Sequence, residues 1–164
     1  MTDPRFTLPE GTGKPLSVRQ VQTSFASLFS EPDPTGSQQM ELIFGQGVEV
    51  YREEAGWALG RVMPLVSPTS RPLYVGWVSL DLLGPITSKA DHFVSVLSAP
   101  LFTKPDLKSP IALSVPLGAP VVVGSQDGKY LNVGENLWLH ERHARPQDQT
   151  FNTFLDMARL YLGQ

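Results

Sequence analysis

The chain has 164 residues, of which 18% are charged and 41% are apolar, with a net charge of −3 and no cysteine. This composition is typical of a folded globular protein, and the weak negative charge offers no general attraction to nucleic acid or to anionic lipid. The lack of cysteine excludes disulfides, thiolate metal sites and a cysteine nucleophile within these residues.

Residues 1–20 are predicted to form a flexible N-terminal tail. Several prolines and glycines but few hydrophobic side chains occur there, so the segment cannot bury enough surface to offset the entropy of ordering. Acids and prolines stand where a signal peptide needs a basic start and an apolar run. Because no later run is long enough to span a bilayer either, we expect a cytoplasmic protein without a membrane span.

Beyond the tail, the sequence repeats itself at an offset of 73 positions. The recurring residues are Val21, Ala26, Leu28, Phe29, Pro32, Asp33, Gly45, Val48 and Val50, which return as Val94, Ala99, Leu101, Phe102, Pro105, Asp106, Gly118, Val121 and Val123. Residues 76–78 return after 61 positions as residues 137–139, so the first copy has an insertion, at residues 63–72. One small unit built twice predicts two domains, at residues 21–88 and 89–146.

Each copy has the pattern of short strands divided by turns. Runs of β-branched and aromatic residues alternate with Gly, Pro, Asp and Ser at intervals too short for helices. Residues 53–56 suit the turn of a hairpin in the first copy, and residues 126–128 stand at the same place in the second. With a late aromatic in each copy, Trp77 and Trp138, the pattern predicts an all-β protein of two small SH3-like barrels in tandem.

Two segments depart from the strand pattern. Three prolines make residues 63–72 a long loop that cannot pair as a central strand and can wall a groove. Residues 147–164 change to a helical period and predict a short C-terminal linker helix. Its apolar face bears Phe151, Phe154, Leu155, Ala158 and Leu162. That face packs either on the second barrel or on a following domain or partner.

No residues form a predicted catalytic, metal or cofactor site. His140 and His143 lack the spacing that puts two histidines on one helical face, and they follow a strand. Trp57, Trp77 and Trp138 are either a stacking platform for a sugar or peptide, or barrel core, and the strand alternation favours the core. No nucleophile and base stand at a spacing suited to hydrolysis.

Several segments resemble a known family. In the first copy, residues 41–50, 54–58 and 74–78 are similar to the first bacterial SH3-type domain of the NlpC-type cell-wall peptidases, the γ-D-glutamyl-L-diamino-acid endopeptidases. In the second copy, the matching segments are residues 105–110, 117–119 and 143–146, which resemble the second SH3-type domain of the same enzymes. The resemblance covers nearly the whole chain.

The resemblance implies where a ligand binds. In the family, the first SH3-type domain helps to recognise the amino end of the murein peptide through a tyrosine and an acidic residue. Tyr74 matches the tyrosine and lies close to Trp77, whereas the acid falls on Gln46, whose amide is a weaker partner for an ammonium group. These three residues are the candidate ligand-binding residues. The alternatives are a packing ring for Tyr74 and a solvated turn residue for Gln46.

The resemblance also implies a function. In the family, a papain-like domain with catalytic cysteine and histidine follows a segment like residues 158–163, but this sequence ends at Gln164 without a thiol. We expect no enzyme activity of this chain. It is predicted to be the non-catalytic, substrate-binding and targeting portion of a murein-peptide endopeptidase, with the murein peptide or an NlpC-type catalytic domain as partner. The catalytic domain is then truncated, lost or on a separate chain.

Two alternatives remain open. One is a stand-alone SH3-type module that binds cell-wall peptide or a protein partner. The other is a decayed remnant that folds but has no ligand, which the glutamine at position 46 favours.

Overall fold

The computed structural model describes residues 3–65, 71–86 and 88–148. The chain divides into two compact units, Met1–Thr87 and Ser88–Gln164, which we call unit 1 and unit 2. Each is described by itself below.

Within its described residues, unit 1 has seven strands. They are β1 (Ser17–Val21), β2 (Phe25–Phe29), β3 (Gln38–Ile43), β4 (Gly47–Glu54), β5 (Trp57–Val62), β6 (Val75–Ser79) and β7 (Leu83–Pro85). Neighbouring strands are antiparallel and form one sheet with the order β3-β2-β6-β5-β4-β1-β7. Short 3₁₀ turns lie at Pro4–Phe6 and Leu80–Leu82. Most of β1 therefore falls inside the segment predicted as a tail.

The sheet of unit 1 surrounds one apolar core. Successive side chains of a strand point to opposite faces, so Val48 and Val50 of β4 share a face. Both are fully buried, as are Leu28 of β2, Leu42 of β3 and Val78 of β6. Burial of an aliphatic side chain of this size stabilises a fold by roughly 1.5–3 kcal/mol. The inward residues of the strands thus hold the unit together.

Unit 2 has eight strands in its described residues. They are β8 (His92–Val94), β9 (Ser98–Phe102), β10 (Ile111–Pro116), β11 (Pro120–Val121), β12 (Ser125–Asp127), β13 (Tyr130–Gly134), β14 (Leu137–His140) and β15 (Ala144–Pro146). One sheet has the order β10-β9-β14-β13-β12 and the other has the order β11-β8-β15. A 3₁₀ turn at Glu141–His143 leads into β15. Leu101, Val115 and Leu139 are among its fully buried residues.

The two units pair their strands in the same way. At the sequence offsets of 73 and 61, β4 corresponds to β11 plus β12, and every other strand of unit 1 has one counterpart in unit 2. The register agrees as well, because Phe29 faces Trp77 in unit 1 and Phe102 faces Trp138 in unit 2. The recurring sequence therefore accompanies a recurring strand arrangement.

Asp33 and Asp106, which the repeat shares, build equivalent turns. The side chain of Asp33 accepts the backbone N–H of Thr35 at 2.8 Å, and that of Asp106 accepts the N–H of Lys108 at 2.9 Å. Aspartate favours this bond to the backbone two residues later, because it replaces a backbone partner in a tight turn. The same sequence signal therefore closes the loop between the second and third strands of each unit.

The units differ at β4, which is one strand in unit 1 and two strands, β11 and β12, in unit 2. In unit 1, β4 is one strand that pairs with β5 from Val48 to Glu54, with one register shift between Val50 and Arg52, and Gly60 leaves room for Val48. A Cβ atom at Gly60 would lie 2.3 Å from Cγ1 of Val48. The equivalent residues of unit 2 are Val133 and Val121, whose side chains cannot approach so closely. There the strand is interrupted between β11 and β12.

The side chain of Asp91 accepts a backbone hydrogen bond at this interruption. Its Oδ1 accepts the backbone N–H of Val123 at 3.0 Å and lies 2.9 Å from Nδ1 of His92. Burial acts to raise the pKa of Asp91, but the hydrogen bonds from His92 and Val123 outweigh it and hold the pKa below its usual range. A side chain thus satisfies the backbone group that has lost its strand partner.

The predicted all-β, SH3-like fold class is confirmed by this architecture. Residues 149–164, which include nearly all of the predicted linker helix, and the middle of the predicted loop at 63–72 lie outside the described residues. The predicted domain limits of 21–88 and 89–146 stay predictions. In the described ranges, no helical segment has the length and hydrophobicity that crossing a bilayer requires.

Candidate functional site

Tyr74 stands immediately before β6 in unit 1. Its backbone carbonyl accepts the N–H of Val62 at 2.8 Å, which fixes Tyr74 beside the end of β5. Its half-buried ring packs against the core and meets the ring of Phe6 edge-on, with centroids 4.8 Å apart and planes at 62°. A residue of the N-terminal segment therefore covers this ring.

Trp77 lies in the middle of β6, on the face opposite to Val78. Val78 belongs to the barrel core, whereas Trp77 forms a second cluster with Leu59 and Val75, against which Leu8 packs. Only 6% of Trp77 is exposed. Trp77 is therefore buried, as the core interpretation expects, but in this second cluster and not in the barrel core with Val78. Alternation along β6 puts it on the outer face, and the N-terminal segment helps to bury it there.

We call this surface the aromatic face of unit 1. It has two parts, which are the ring of Tyr74, packed on the barrel core beneath Phe6, and the outer cluster of Leu59, Val75 and Trp77, on which Leu8 packs. Phe6 and Leu8 contact it, and both were missed by sequence reasoning because the composition of residues 1–20 was judged as a whole. Their spacing was the available signal, since residues two apart in an extended chain point to the same side.

A cation lies over the Trp77 ring. The guanidinium carbon of Arg52 is 4.8 Å from the ring centroid, and Nε of Arg52 is 3.7 Å from the carboxylate of Glu54. A cation–π contact at an exposed site stabilises by about 0.5–1 kcal/mol. Arg52 thus places a positive charge at the edge of the aromatic face.

An open pocket of about 280 Å³ lies beside the aromatic face. Residues 9–13 line one side of it, and Tyr51, Arg52 and Leu59 line the other. The guanidinium of Arg52 is a hydrogen-bond donor that suits a carbonyl or carboxylate oxygen, whereas the one phenolic proton of Tyr51 is donated to Glu49. The pocket thus adds polar groups to an otherwise apolar surface.

Gln46 is a buried turn residue rather than a solvated one, with 6% of its surface exposed. Its side-chain oxygen accepts the N–H of Ile43 at 3.2 Å, and its side-chain nitrogen donates to the carbonyl of Met63 at 3.3 Å. Met63 follows Val62, whose N–H bonds the carbonyl of Tyr74, so Gln46 and Tyr74 flank the same end of β5. A ligand that bonds the Gln46 amide would have to replace these internal bonds.

The carboxylate of Glu49 in β4 bonds to neighbouring side chains of β4 and β5. One carboxylate oxygen of Glu49 accepts the hydroxyl of Tyr51 at 2.9 Å and two nitrogens of Arg61 at 2.9 and 2.7 Å. Burial, followed by the bond to Glu49, raises the pKa of Tyr51, and the bond to Glu49 raises the pKa of Arg61. These three side chains cross-link the two strands and keep Glu49 engaged with a cation.

Unit 2 has a row of rings on its own strands. Phe102 meets Tyr130 at 5.9 Å between centroids, Tyr130 meets His140 at 5.2 Å, and His140 meets His143 at 5.7 Å. Burial lowers the pKa of His143, and the charge of His140 lowers it further. Nδ1 of His143 is buried without a hydrogen-bond partner in the described part of the chain. There, too, no three acidic or histidine side chains converge to hold a metal ion.

The structure therefore brings together two of the three predicted site residues. The N-terminal segment links Tyr74 and Trp77, because Phe6 contacts the first and Leu8 packs on the cluster that holds the second, whereas the Gln46 amide is engaged at the neighbouring turn. Ligand binding by any of the three stays a prediction.

No protein-family model and no curated protein sequence matches the chain. Among solved structures, it is similar to the crystal structure of an NlpC/P60 family protein from Bacillus cereus ATCC 10987, with 18% identity and a TM-score of 0.62 over 79% of this chain and 56% of that one. It also aligns with NlpC1 from Trichomonas vaginalis, at 15% identity and a TM-score of 0.34, over 94% of this chain and 53% of that one. The structure named endolysin LysPBC5 CBD has 13% identity and a TM-score of 0.31, over 87% of this chain and 100% of that one.

The chain thus spans 56% of the length of the Bacillus protein. At 18% identity, this match shows a shared fold and nothing about a shared site.

Proposed function

We propose that the chain is the non-catalytic, substrate-binding and targeting portion of an NlpC-type murein-peptide endopeptidase, with one bacterial SH3-type domain in each unit. The main support is that the family motifs at residues 41–50, 74–78 and 105–110 occur in a chain whose fold resembles an NlpC/P60 family protein. A fold alone hosts many functions, so the motifs select this one. A cytoplasmic location belongs to the same proposal.

In this proposal, the aromatic face of unit 1 contacts the peptide. The half-buried Tyr74 presents a phenol that both donates and accepts hydrogen bonds, and Trp77 supplies an apolar wall. Gln46 supports the end of β5 and brings no charge to the substrate ammonium. Because the chain has no thiol, peptide cleavage requires an NlpC-type catalytic domain as partner.

The test is a titration of the purified chain with a synthetic γ-D-glutamyl-diamino-acid peptide. Calorimetry measures the affinity, and the NMR signals of unit 1 show where the peptide binds. The change Tyr74→Phe removes one hydroxyl and keeps the ring on Phe6. Loss of one hydrogen bond should weaken binding between about twofold and tenfold, with little change in melting temperature.

The matched control is Tyr130→Phe, which removes a phenolic hydroxyl in unit 2 and should bind like the unchanged chain. An affinity that Tyr74→Phe leaves untouched argues against the assigned role of Tyr74. If the unchanged chain does not bind the peptide at all, the proposed function is wrong.

A second candidate is a stand-alone SH3-type module that binds an extended segment of a protein. One observation favours it, since Phe6 and Leu8 already lie on the aromatic face as two side chains of a bound peptide would. Binding of the cell-wall peptide would favour the first candidate. A remnant without a ligand would bind neither probe.

A further inference from the structure

The aromatic face of unit 1 is covered by the chain itself. The ring of Phe6 lies edge-on to Tyr74 at 4.8 Å between centroids, and Leu8 packs on the cluster of Leu59, Val75 and Trp77. We call residues 3–13 the N-terminal strap. The surface that Leu8 helps to bury contains the large ring of Trp77, which is 6% exposed. The strap therefore replaces solvent over this apolar cluster of the outer sheet.

Side chains hold the strap on the barrel. Within the described ranges, its backbone hydrogen bonds are internal: Phe6 to Asp3, Thr7 to Pro4 and Thr12 to Pro9. The first backbone bond to the barrel is made after the strap, from the N–H of Leu16 to the carbonyl of Val50 at 2.7 Å. The strap can therefore leave the sheet without breaking a strand ladder, unlike the strands beneath it.

The strap also fixes its own local shape. The carboxylate of Asp3 accepts the backbone N–H of Arg5 at 3.0 Å and the Arg5 guanidinium at 2.7 Å. The hydroxyl of Thr7 donates to the carbonyl of Asp3 at 3.0 Å, and the Arg5 guanidinium carbon lies 5.4 Å from the centre of the Phe6 ring. Contacts within the strap thus hold Phe6 in place before it meets the barrel, which is how a preorganised ligand behaves.

The apolar character of the surface is specific to unit 1. At the positions equivalent to Leu59 and Val75, unit 2 has Asn132 and Asn136. Both units keep the central tryptophan, but only unit 1 surrounds it with the aliphatic side chains that a Leu8-like residue requires.

From these contacts we infer that the aromatic face is a docking surface for a short peptide, and that the N-terminal strap is its internal occupant. The partner is a peptide with an aromatic side chain and an aliphatic one two residues later, bracketed by prolines, as in Pro4-Arg5-Phe6-Thr7-Leu8-Pro9. The aromatic side chain binds on Tyr74 and the aliphatic one binds on Trp77. The strap and the partner compete for one surface.

The test uses a fluorescent synthetic peptide with the sequence of residues 3–13 and the full chain bearing Phe6→Ala and Leu8→Ala. We expect the peptide to bind this variant at least tenfold more tightly than the unchanged chain, because only the variant leaves the face uncovered. A peptide that lacks the same two side chains should not bind. NMR should place the contact at the indole N–H of Trp77.

Leu16→Ala is the matched control, since Leu16 is 67% exposed and lies just beyond the strap; this variant should bind the peptide as weakly as the unchanged chain. Equal affinity for the double variant and the unchanged chain overturns the inference, as does no binding to a double variant whose NMR spectrum keeps unit 1 folded. If the double variant unfolds, Leu8→Ala alone decides the question by the same criteria.

One consequence rests on the proposed function: the cell-wall peptide can reach Tyr74 only after Phe6 leaves, so the double variant should bind the γ-D-glutamyl-diamino-acid peptide at least tenfold more tightly too. If neither the double variant nor the unchanged chain binds that peptide, the proposed function is wrong. The titration with the strap peptide still shows whether the aromatic face is a docking surface. If both chains bind it equally, the strap does not control access to Tyr74.

Discussion

Unit 1 and unit 2 share much of their inner faces and differ at several positions of their outer ones. Buried inward residues such as Leu28 and Leu101 occupy equivalent positions, whereas the outer Leu59 and Val75 of unit 1 are replaced by Asn132 and Asn136 in unit 2. The inner positions are constrained by close packing. The outer positions are therefore where the two copies can differ in what they bind.

The largest effect should come from truncating the shared core. Leu28→Ala and Leu101→Ala remove the same fully buried side chain from equivalent strands. Each should lower the free energy of unfolding by about 2–5 kcal/mol, through lost burial and a residual cavity. Hydrogen exchange followed by mass spectrometry should show faster exchange only in the unit that carries the change.

Leu107→Ala is the control for this pair because Leu107 is 73% exposed; it should change stability by no more than about 0.5 kcal/mol. Faster exchange in both units after either core change would mean that the units unfold as one, and the comparison between them would lose its basis.

A smaller effect should follow from making unit 1 resemble unit 2 at one position. Gly60→Val places side-chain atoms where Cγ1 of Val48 lies. Overpacking of this kind costs about 1–3 kcal/mol, and it should break the pairing of residues 48–50 with β5 while residues 52–54 stay paired, as their counterparts in β12 do with β13. Amide exchange of residues 48–50 is the measurement.

The control is Gly13→Val, since a Cβ atom at Gly13 meets nothing within 4 Å. If Gly60→Val leaves both the stability and the exchange of β4 unchanged, the glycine does not explain why this strand continues in unit 1.

The smallest effect is a pH dependence of the stability of unit 2. It arises from His143, the last ring in the row of rings of that unit. Because the pKa of His143 lies below the ordinary value of 6.5 in the folded chain, the unfolded chain takes up the proton first as the pH falls. The neutral His143 therefore contributes its full share to the free energy of unfolding above about pH 6.5, and this share is lost as the pH falls through the lowered pKa. His143→Phe should flatten this part of the stability curve, as measured by urea unfolding across pH 5–8.

His140→Asn gives the matched comparison for the pH effect. It removes the neighbouring charge, the second cause of the shift, and leaves the burial. We expect a shallower slope that does not vanish. A slope that persists in full in His143→Phe would assign the pH dependence to another group.

Much of the fold was available from the sequence, because turns and strand alternation are local signals. Residues 53–56 predicted a hairpin turn, and the structure places Ala55 and Gly56 there with φ of 47° and 84°. Asp33 and Asp106 likewise mark the same turn twice. The strand interruption in unit 2 was less accessible, since it is tied to the bulk of Val133 where unit 1 has Gly60, and local patterns do not encode the distance to the neighbouring strand.

The site was harder to predict because its burial comes from residues distant in sequence. Alternation alone does not say which face of β6 is the inner one, so Trp77 was expected in the core. Its cover, Leu8, belongs to a segment whose average composition predicts disorder. Gln46 was expected in solvent because a turn residue usually is, but its side chain found backbone partners at Ile43 and Met63.

The attachment of the strap has a quantitative consequence for any ligand of unit 1. Because the segment is joined to β1 by a few residues, it experiences an effective concentration on the order of millimolar at the aromatic face. A soluble peptide with the same contacts would have to reach a similar concentration to displace half of it. Ligands that act at lower concentrations must therefore gain further contacts beyond those that Phe6 and Leu8 make.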